Sequence, residues 1–175
     1  MIILVEGVDK SGKSTLIDLF LQQNHAYKKY RSNHQKDKKI DLEVAIKHDW
    51  RFFLDICSQT DQNIIFDRSF ISQYVYSMIF RKKNILNHFS SIEEYQKIFK
   101  EYCIQLSELQ YKVFYCFRND YTNVIDDYLD ISYHKKLKEQ FTNFFNLFKN
   151  ELVITTLNFE DGLQINLQKM ILEIN

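Results

Sequence analysis

Proline is absent from this 175-residue chain, and glycine and cysteine occur only three times each. Cys57, Cys103 and Cys116 are scattered, with no C-x-x-C pair, which argues against a disulfide framework and against a zinc site and makes a reducing compartment the default. Neither sign of charge is in excess: 23 basic residues face 23 acidic ones, so there is no global attraction to nucleic acid or to an anionic membrane, and only local patches remain open. No apolar run approaches the ~20 residues of a membrane span. The chain enters an apolar stretch at once, with no basic leader and no cleavage site, so a soluble, cytoplasmic protein is expected. The missing proline goes with abundant Asn, Ile, Lys, Tyr and Phe, the bias of an AT-rich genome, and carries no chemistry.

Glycine is scarce but concentrated. Gly7 and Gly12 frame Gly7-Val8-Asp9-Lys10-Ser11-Gly12-Lys13-Ser14, a complete G-x-x-x-x-G-K-S phosphate loop. Met1 to Val5 before it is an apolar run of strand length, and Leu16, Leu19, Phe20 and Gln23 after it fall at helical spacing, so the motif joins a buried strand to a helix N-terminus. Such a loop turns several backbone N–H groups and the helix dipole onto a phosphate. Lys13 then reaches the outer phosphates, and Ser14 is placed to ligate magnesium.

The rest of the chain alternates. Strands are predicted at Ala26 to Arg31, Asn63 to Phe66, Lys112 to Phe117 and Leu152 to Leu157. Helices are predicted at Ile40 to Ser58, Ser69 to Arg81, Ile92 to Leu109, Ser132 to Lys149 and Asp161 to Leu172. Five strands separated by helices imply an α/β fold, a parallel sheet with helices on both faces. At this length one domain over 1–175 is expected, burying about 70% of its unfolded surface, with Tyr121 to Ser132 as its one lid-like loop.

Many enzymes share this loop. The guanine motif of signalling GTPases is missing, and Ile64-Ile65-Phe66-Asp67 is a short version of a motor-type Walker B strand. More telling is the run Phe66-Asp67-Arg68-Ser69-Phe70-Ile71-Ser72-Gln73-Tyr74-Val75-Tyr76, which sets an acid and an arginine at the carboxyl end of a strand, where open sheets bind ligands. Together, Val5-Glu6-Gly7-Val8-Asp9-Lys10-Ser11-Gly12-Lys13-Ser14-Thr15-Leu16 and the Asp67-Arg68-Ser69 run with Ser72 and Tyr76 resemble thymidylate kinase, a P-loop nucleoside monophosphate kinase. The likeness extends to element spacing over nearly the whole chain, but only these two segments are specific.

That resemblance implies transfer of the γ-phosphoryl of ATP to a deoxypyrimidine monophosphate, dTMP to dTDP, with Mg2+ as cofactor. It implies that Gly7, Asp9, Lys10, Ser11, Gly12, Lys13, Ser14 and Thr15 bind ATP, that Ser14 and Asp67 serve the metal, and that Lys13, Lys10, Asp9 and Arg68 act in catalysis. By the same carry-over Asp9 contacts the sugar hydroxyl of the acceptor, Arg68 its phosphate, Ser72 the base, and Tyr76 packs on the sugar. The family has one arrangement with a basic residue inside the phosphate loop and few arginines in the lid. Lys10, together with a lid candidate that holds no Lys or Arg, resembles that arrangement. A homodimer is likewise implied.

Five arginines are present, and three bear on the acceptor: Arg68, Arg31 at the end of the second strand, and Arg51 in His48-Asp49-Trp50-Arg51-Phe52, where Trp50 or Phe52 would be the ring that stacks on the base. Arg31 lacks the Phe-Pro-Glu that precedes the arginine in the family. Arg118, after the fourth strand, is read as a surface group or a neighbour of adenine. Glu6 is read as holding a metal-bound water or as accepting from nearby N–H groups, and Asp126, Asp127 and Tyr128 as a solvated acidic loop or a ribose contact. The five histidines show no ligand spacing. The run Lys28, Lys29, Arg31, Lys36, Lys38 and Lys39 keeps alternatives open: a kinase acting on a modified base in DNA, a deoxynucleoside kinase, or a nucleotide-binding regulatory subunit without activity.

Overall fold

The computed structural model of the protein describes residues 1–31, 42–59, 62–122 and 130–174. Five strands, β1 (Ile2–Gly7), β2 (Tyr27–Arg31), β3 (Asn63–Asp67), β4 (Tyr111–Phe117) and β5 (Ile154–Asn158), form one sheet in the order β2-β3-β1-β4-β5. Every pairing is parallel. All carboxyl ends therefore share one edge, and the central strand β1 delivers the phosphate loop to its middle.

Helix α1 (Lys13–Gln23) and the last helix, α7 (Leu163–Ile174), cover one face over Ile3, Val5, Ile65, Phe114 and Leu157. The other face is covered by α2 (Leu42–Gln59), α3 (Phe70–Phe80), α4 (Lys82–His88), α5 (Ile92–Ser107) and α6 (Ile131–Leu147). Alternation along each strand decides which residue looks which way. Leu4 and Phe66 belong to the five-helix side, while Val5 and Ile65 belong to the α1 side.

The larger core is aromatic. Trp50 stacks on Tyr102 with centroids 4.4 Å apart and on Phe53 at 5.1 Å, and Phe99, Tyr74, Tyr95 and Phe144 continue the contacts at 5.0–5.5 Å. Such pairs add about 0.5–1.5 kcal/mol each beyond the area they bury. Helix starts are fixed locally. Ser91 caps α5 by accepting from Glu94 N at 3.2 Å, while Glu94 accepts in return from Ser90 N at 2.7 Å; Asp130 caps α6 by accepting from Ser132 N at 2.7 Å.

The expected strands and helices are present, with ends shifted by one to three residues. The start of α2 at Ile40 lies outside the described residues, as do Asp126, Asp127, Tyr128 and most of the lid segment. Helix α4 was not expected: it has seven residues and buries only Ile85, too little for an amphipathic period. In place of a helix start at Asp161 there is a 3-10 turn, Phe159–Asp161, and then α7.

Candidate active site

The phosphate loop is shaped by two glycines for which no other residue fits. Gly7 has φ +142, and a Cβ there would lie 2.0 Å from the carbonyl oxygen of Cys116 on β4. Gly12 has φ +82, and its Cβ would lie 1.8 Å from the ring of Phe159. Between them Lys10 holds φ +60 without being glycine, and Arg68 at the tip of β3 holds φ +75. Left-handed backbone at such residues costs about 1–3 kcal/mol each and persists where the surroundings over-determine it. Arg68 is fixed by its N–H to the Val5 carbonyl at 3.1 Å, and the Lys10 turn is closed by Ser11 N to Val8 O at 3.3 Å.

Four segments converge at this edge. Ser14, exposed on the first turn of α1, donates to Asp67 Oδ2 at 3.0 Å. Lys13 is buried; its ammonium donates to the Val8 carbonyl at 2.7 Å. Burial, reinforced by repulsion from Arg68, lowers the Lys13 pKa to about 7. Arg68 donates through Nη2 to Asp9 Oδ1, and its guanidinium lies 4.9 Å over the ring of Tyr76, whose hydroxyl donates to Asp9 Oδ2 at 2.7 Å. Burial alone would raise the Asp9 carboxyl, but Arg68, Tyr76 and Lys13 together outweigh it and hold the pKa below the usual carboxylate value. Burial is also the main reason that the Tyr76 hydroxyl is pushed well above its ordinary value.

Asp9, Lys13, Ser14, Asp67, Arg68 and Tyr76 are thus brought to one place from β1, α1, β3 and α3. Ser11 is buried under the loop, while Lys10 and Thr15 are exposed on it. Arg31 ends β2 in register with Asp67, on the same edge. Arg51 is exposed on α2, whose buried stripe is Leu42, Ile46, Trp50, Phe53 and Ile56, so Trp50 is a core ring and Phe52 an outward one. Ser72 is fully buried and donates to Glu6, which puts it beneath the site rather than on its surface.

Glu6 resolves toward the structural side of its two readings. It is fully buried, on the five-helix side of β1, and accepts from Ser69 Oγ at 2.5 Å and from Ser72 Oγ. Ser69 also caps α3 by accepting from Ile71 N at 3.3 Å. The carboxylate therefore ties the start of α3, and with it the tip that carries Arg68, to the strand that carries the loop.

The sequence reading missed the outer wall of the loop. Phe159 and Glu160, just after β5, reach back: Phe159 packs on Gly12, and the Glu160 carboxylate accepts from Asn119 N and Asp120 N at 2.9 Å each. Their position at the carboxyl end of a strand was the one available signal. His134, on α6, is buried against Tyr121 with ring centroids 5.1 Å apart.

For magnesium, the Ser14 hydroxyl and the Asp67 carboxylate are adjacent hard oxygen donors, while among the described residues no cluster of three or more His, Cys, Asp or Glu side chains is suited to a metal. A pair of oxygens at a phosphate loop, completed by substrate phosphates and water, is the usual way Mg2+ is held. The residues fit the ion.

No protein-family model and no curated protein matches the chain. Solved structures do. Deoxyadenosine kinase from M. mycoides with bound dATP has a TM-score of 0.67 at 14% identity, covering 100% of this chain and 99% of that one. The YorR protein of Bacillus subtilis, in complex with phosphorylated GDP, gives 0.69 at 15% over 99% and 95%. Thymidylate kinase from Candida albicans gives 0.62 at 15% over 99% and 90%. At these identities the shared property is the fold, a five-stranded parallel sheet between helices. Among the described residues no helix is long and apolar enough to cross a membrane.

Proposed function

We propose that the protein is a phosphotransferase that moves the γ-phosphoryl of ATP to a deoxynucleoside monophosphate, with dTMP as the acceptor. The observation that carries this reading is the meeting of the β3 tip with the loop: Asp67 beside Ser14, and Arg68 beside Asp9. A loop alone holds one nucleotide. A guanidinium and a sugar-seeking carboxylate facing it give a second anion a place in line.

In the reaction an oxygen of the acceptor phosphate attacks the γ-phosphorus, the bond to the β-phosphate oxygen breaks, and ADP leaves. No nucleophilic side chain is needed, so catalysis rests on positioning and on stabilising charge at the equatorial oxygens. The loop amides and Lys13 hold the donor, Lys10 meets the transferring group, Arg68 orients the acceptor phosphate, and Asp9 with Tyr76 receives the sugar. Bound Mg2+ would add neutralisation of the phosphate charge.

Base chemistry favours a phosphate acceptor over a sugar 5′-hydroxyl. A hydroxyl needs a nearby group able to take its proton, with a pKa close to the working pH. Asp9 is held below the usual carboxylate range, and Glu6 already accepts two hydroxyls, so neither is such a base. A phosphate oxygen arrives already ionised. The deoxyadenosine kinase among the similar folds keeps the hydroxyl acceptor as the second reading.

The test is a panel of deoxynucleoside monophosphates and deoxynucleosides with ATP and Mg2+, read as ADP release. Highest turnover with dTMP and none with thymidine is expected. Turnover confined to deoxynucleosides would replace the acceptor, and no turnover with any of them would remove the activity.

A further inference from the structure

We propose that Arg118 is a positioning residue that fixes Lys10 in its left-handed conformation and so aims the Lys10 ammonium at the transferring phosphoryl. The inference rests on the reading above for what Lys10 does, but its geometry stands by itself. Arg118 is the first residue after β4 and Lys10 lies inside the loop after β1, two strands that are neighbours in the sheet. Arg118 Nε donates to the carbonyl oxygen of Lys10 at 2.9 Å.

That acceptor is informative. Lys10 is one of two non-glycine residues at positive φ among the described residues. Its carbonyl belongs to the peptide linking it to Ser11, and the direction of that peptide plane is set together with the path of the backbone through Lys10. If the plane turned over, Lys10 would relax to an ordinary conformation and its side chain would leave from a different direction. A donor held against the carbonyl opposes that turn.

The donor is itself held. The Arg118 guanidinium lies 4.7 Å over the ring of Phe159, and Phe159 rests on Gly12, so the same arginine–aromatic pair braces the loop at two points. Arg118 N donates to the Tyr121 hydroxyl at 3.3 Å, and Glu160 ties the next two residues, Asn119 and Asp120, to the end of β5. Arginine suits this work because its Nε–H and its flat face act at once, on a carbonyl and on a ring.

A double-mutant cycle in ATP-dependent transfer, with Lys10→Ala, Arg118→Ala and both, reads the coupling. Arg118→Ala is expected to lower kcat by about ten- to a hundredfold, the scale of a misplaced catalytic group, with the KM for ATP little changed. Arg118→Lys, which keeps a donor for the carbonyl, is expected to recover part of that loss. The double variant should be no slower than Lys10→Ala alone. Losses that multiply, or a raised KM for ATP at unchanged kcat, would overturn the proposal and make Arg118 a direct nucleotide contact. An arm without turnover separates this from the proposed activity: amide exchange in the peptide 6–14 should quicken in Arg118→Ala and not in Lys10→Ala. Unchanged exchange overturns the brace even in an active kinase, and quickened exchange in a protein without transfer leaves the brace standing while the activity falls.

Discussion

At the carboxyl edge of the sheet all five positive-φ residues of the described structure gather, Gly7, Lys10, Gly12, Arg68 and Gly162, and Lys13 and Arg68 are buried charges among them. On the five-helix side the chain instead buries Phe99, Tyr95, Phe144 and their neighbours in regular helices, with rings a few ångströms apart. The first region is strained, charged and short of apolar contact; the second is relaxed, apolar and dense. The contrast separates two tasks. Stability is supplied by the aromatic layer, and it offsets a site whose backbone and charges are arranged for a polyanion not yet bound.

The sharpest way to break this division is to exchange the effects of mutations in the two regions. Phe99→Ala, a fully buried ring on α5, should destabilise by about 3–5 kcal/mol with kcat retained at temperatures where the variant is folded, as read by denaturant unfolding beside the transfer assay. A loss of turnover in folded protein would show that the layer is not separate from the site. Next in size, Lys10→Ala should raise the barrier by about 2.7–4 kcal/mol, a hundred- to a thousandfold in kcat, while leaving unfolding unchanged, because Lys10 is exposed. An unaltered rate removes Lys10 from the mechanism.

The smallest effect has the opposite sign. Lys13→Met should abolish transfer yet stabilise the unliganded protein by about 1 kcal/mol or more, which is a rise of about 2–4 °C in Tm per kcal/mol for a domain of this size. The sign follows from linkage. With the folded Lys13 pKa lowered from 10.5 to about 7, the unfolded chain binds the extra proton between those values, so stability rises with pH across that window. The gain from Lys13→Met should therefore be greatest at pH 7 and below and shrink toward pH 10. A variant less stable than wild type at pH 7 would contradict the picture of a buried charge held at a cost.

The fold was legible because β1, β3 and β4 are short apolar runs separated by helical periods, a pattern with few topological solutions. The loop was legible because its glycines are set by backbone geometry alone. What escaped the sequence is contact between distant segments. Ser72 matches a ligand contact by spacing, yet it answers to Glu6, 66 residues away. Phe159 and Arg118 brace a loop more than 100 residues earlier, which no local period records. Trp50 is a different case: the stripe Leu42, Ile46, Trp50, Phe53 already placed it inside, and the pull of a stacking ring overrode the period.

The central claim, that this edge holds two anionic nucleotides end to end, is tested most directly with adenosine and thymidine joined through five 5′-phosphates, titrated by calorimetry in Mg2+ beside ATP and dTMP singly. Linking the two is expected to tighten binding by about a hundredfold or more over ATP alone, at one ligand per chain, with the gain lost in Arg68→Ala. Affinity equal to that of ATP, with the thymidine end contributing nothing, would contradict the account.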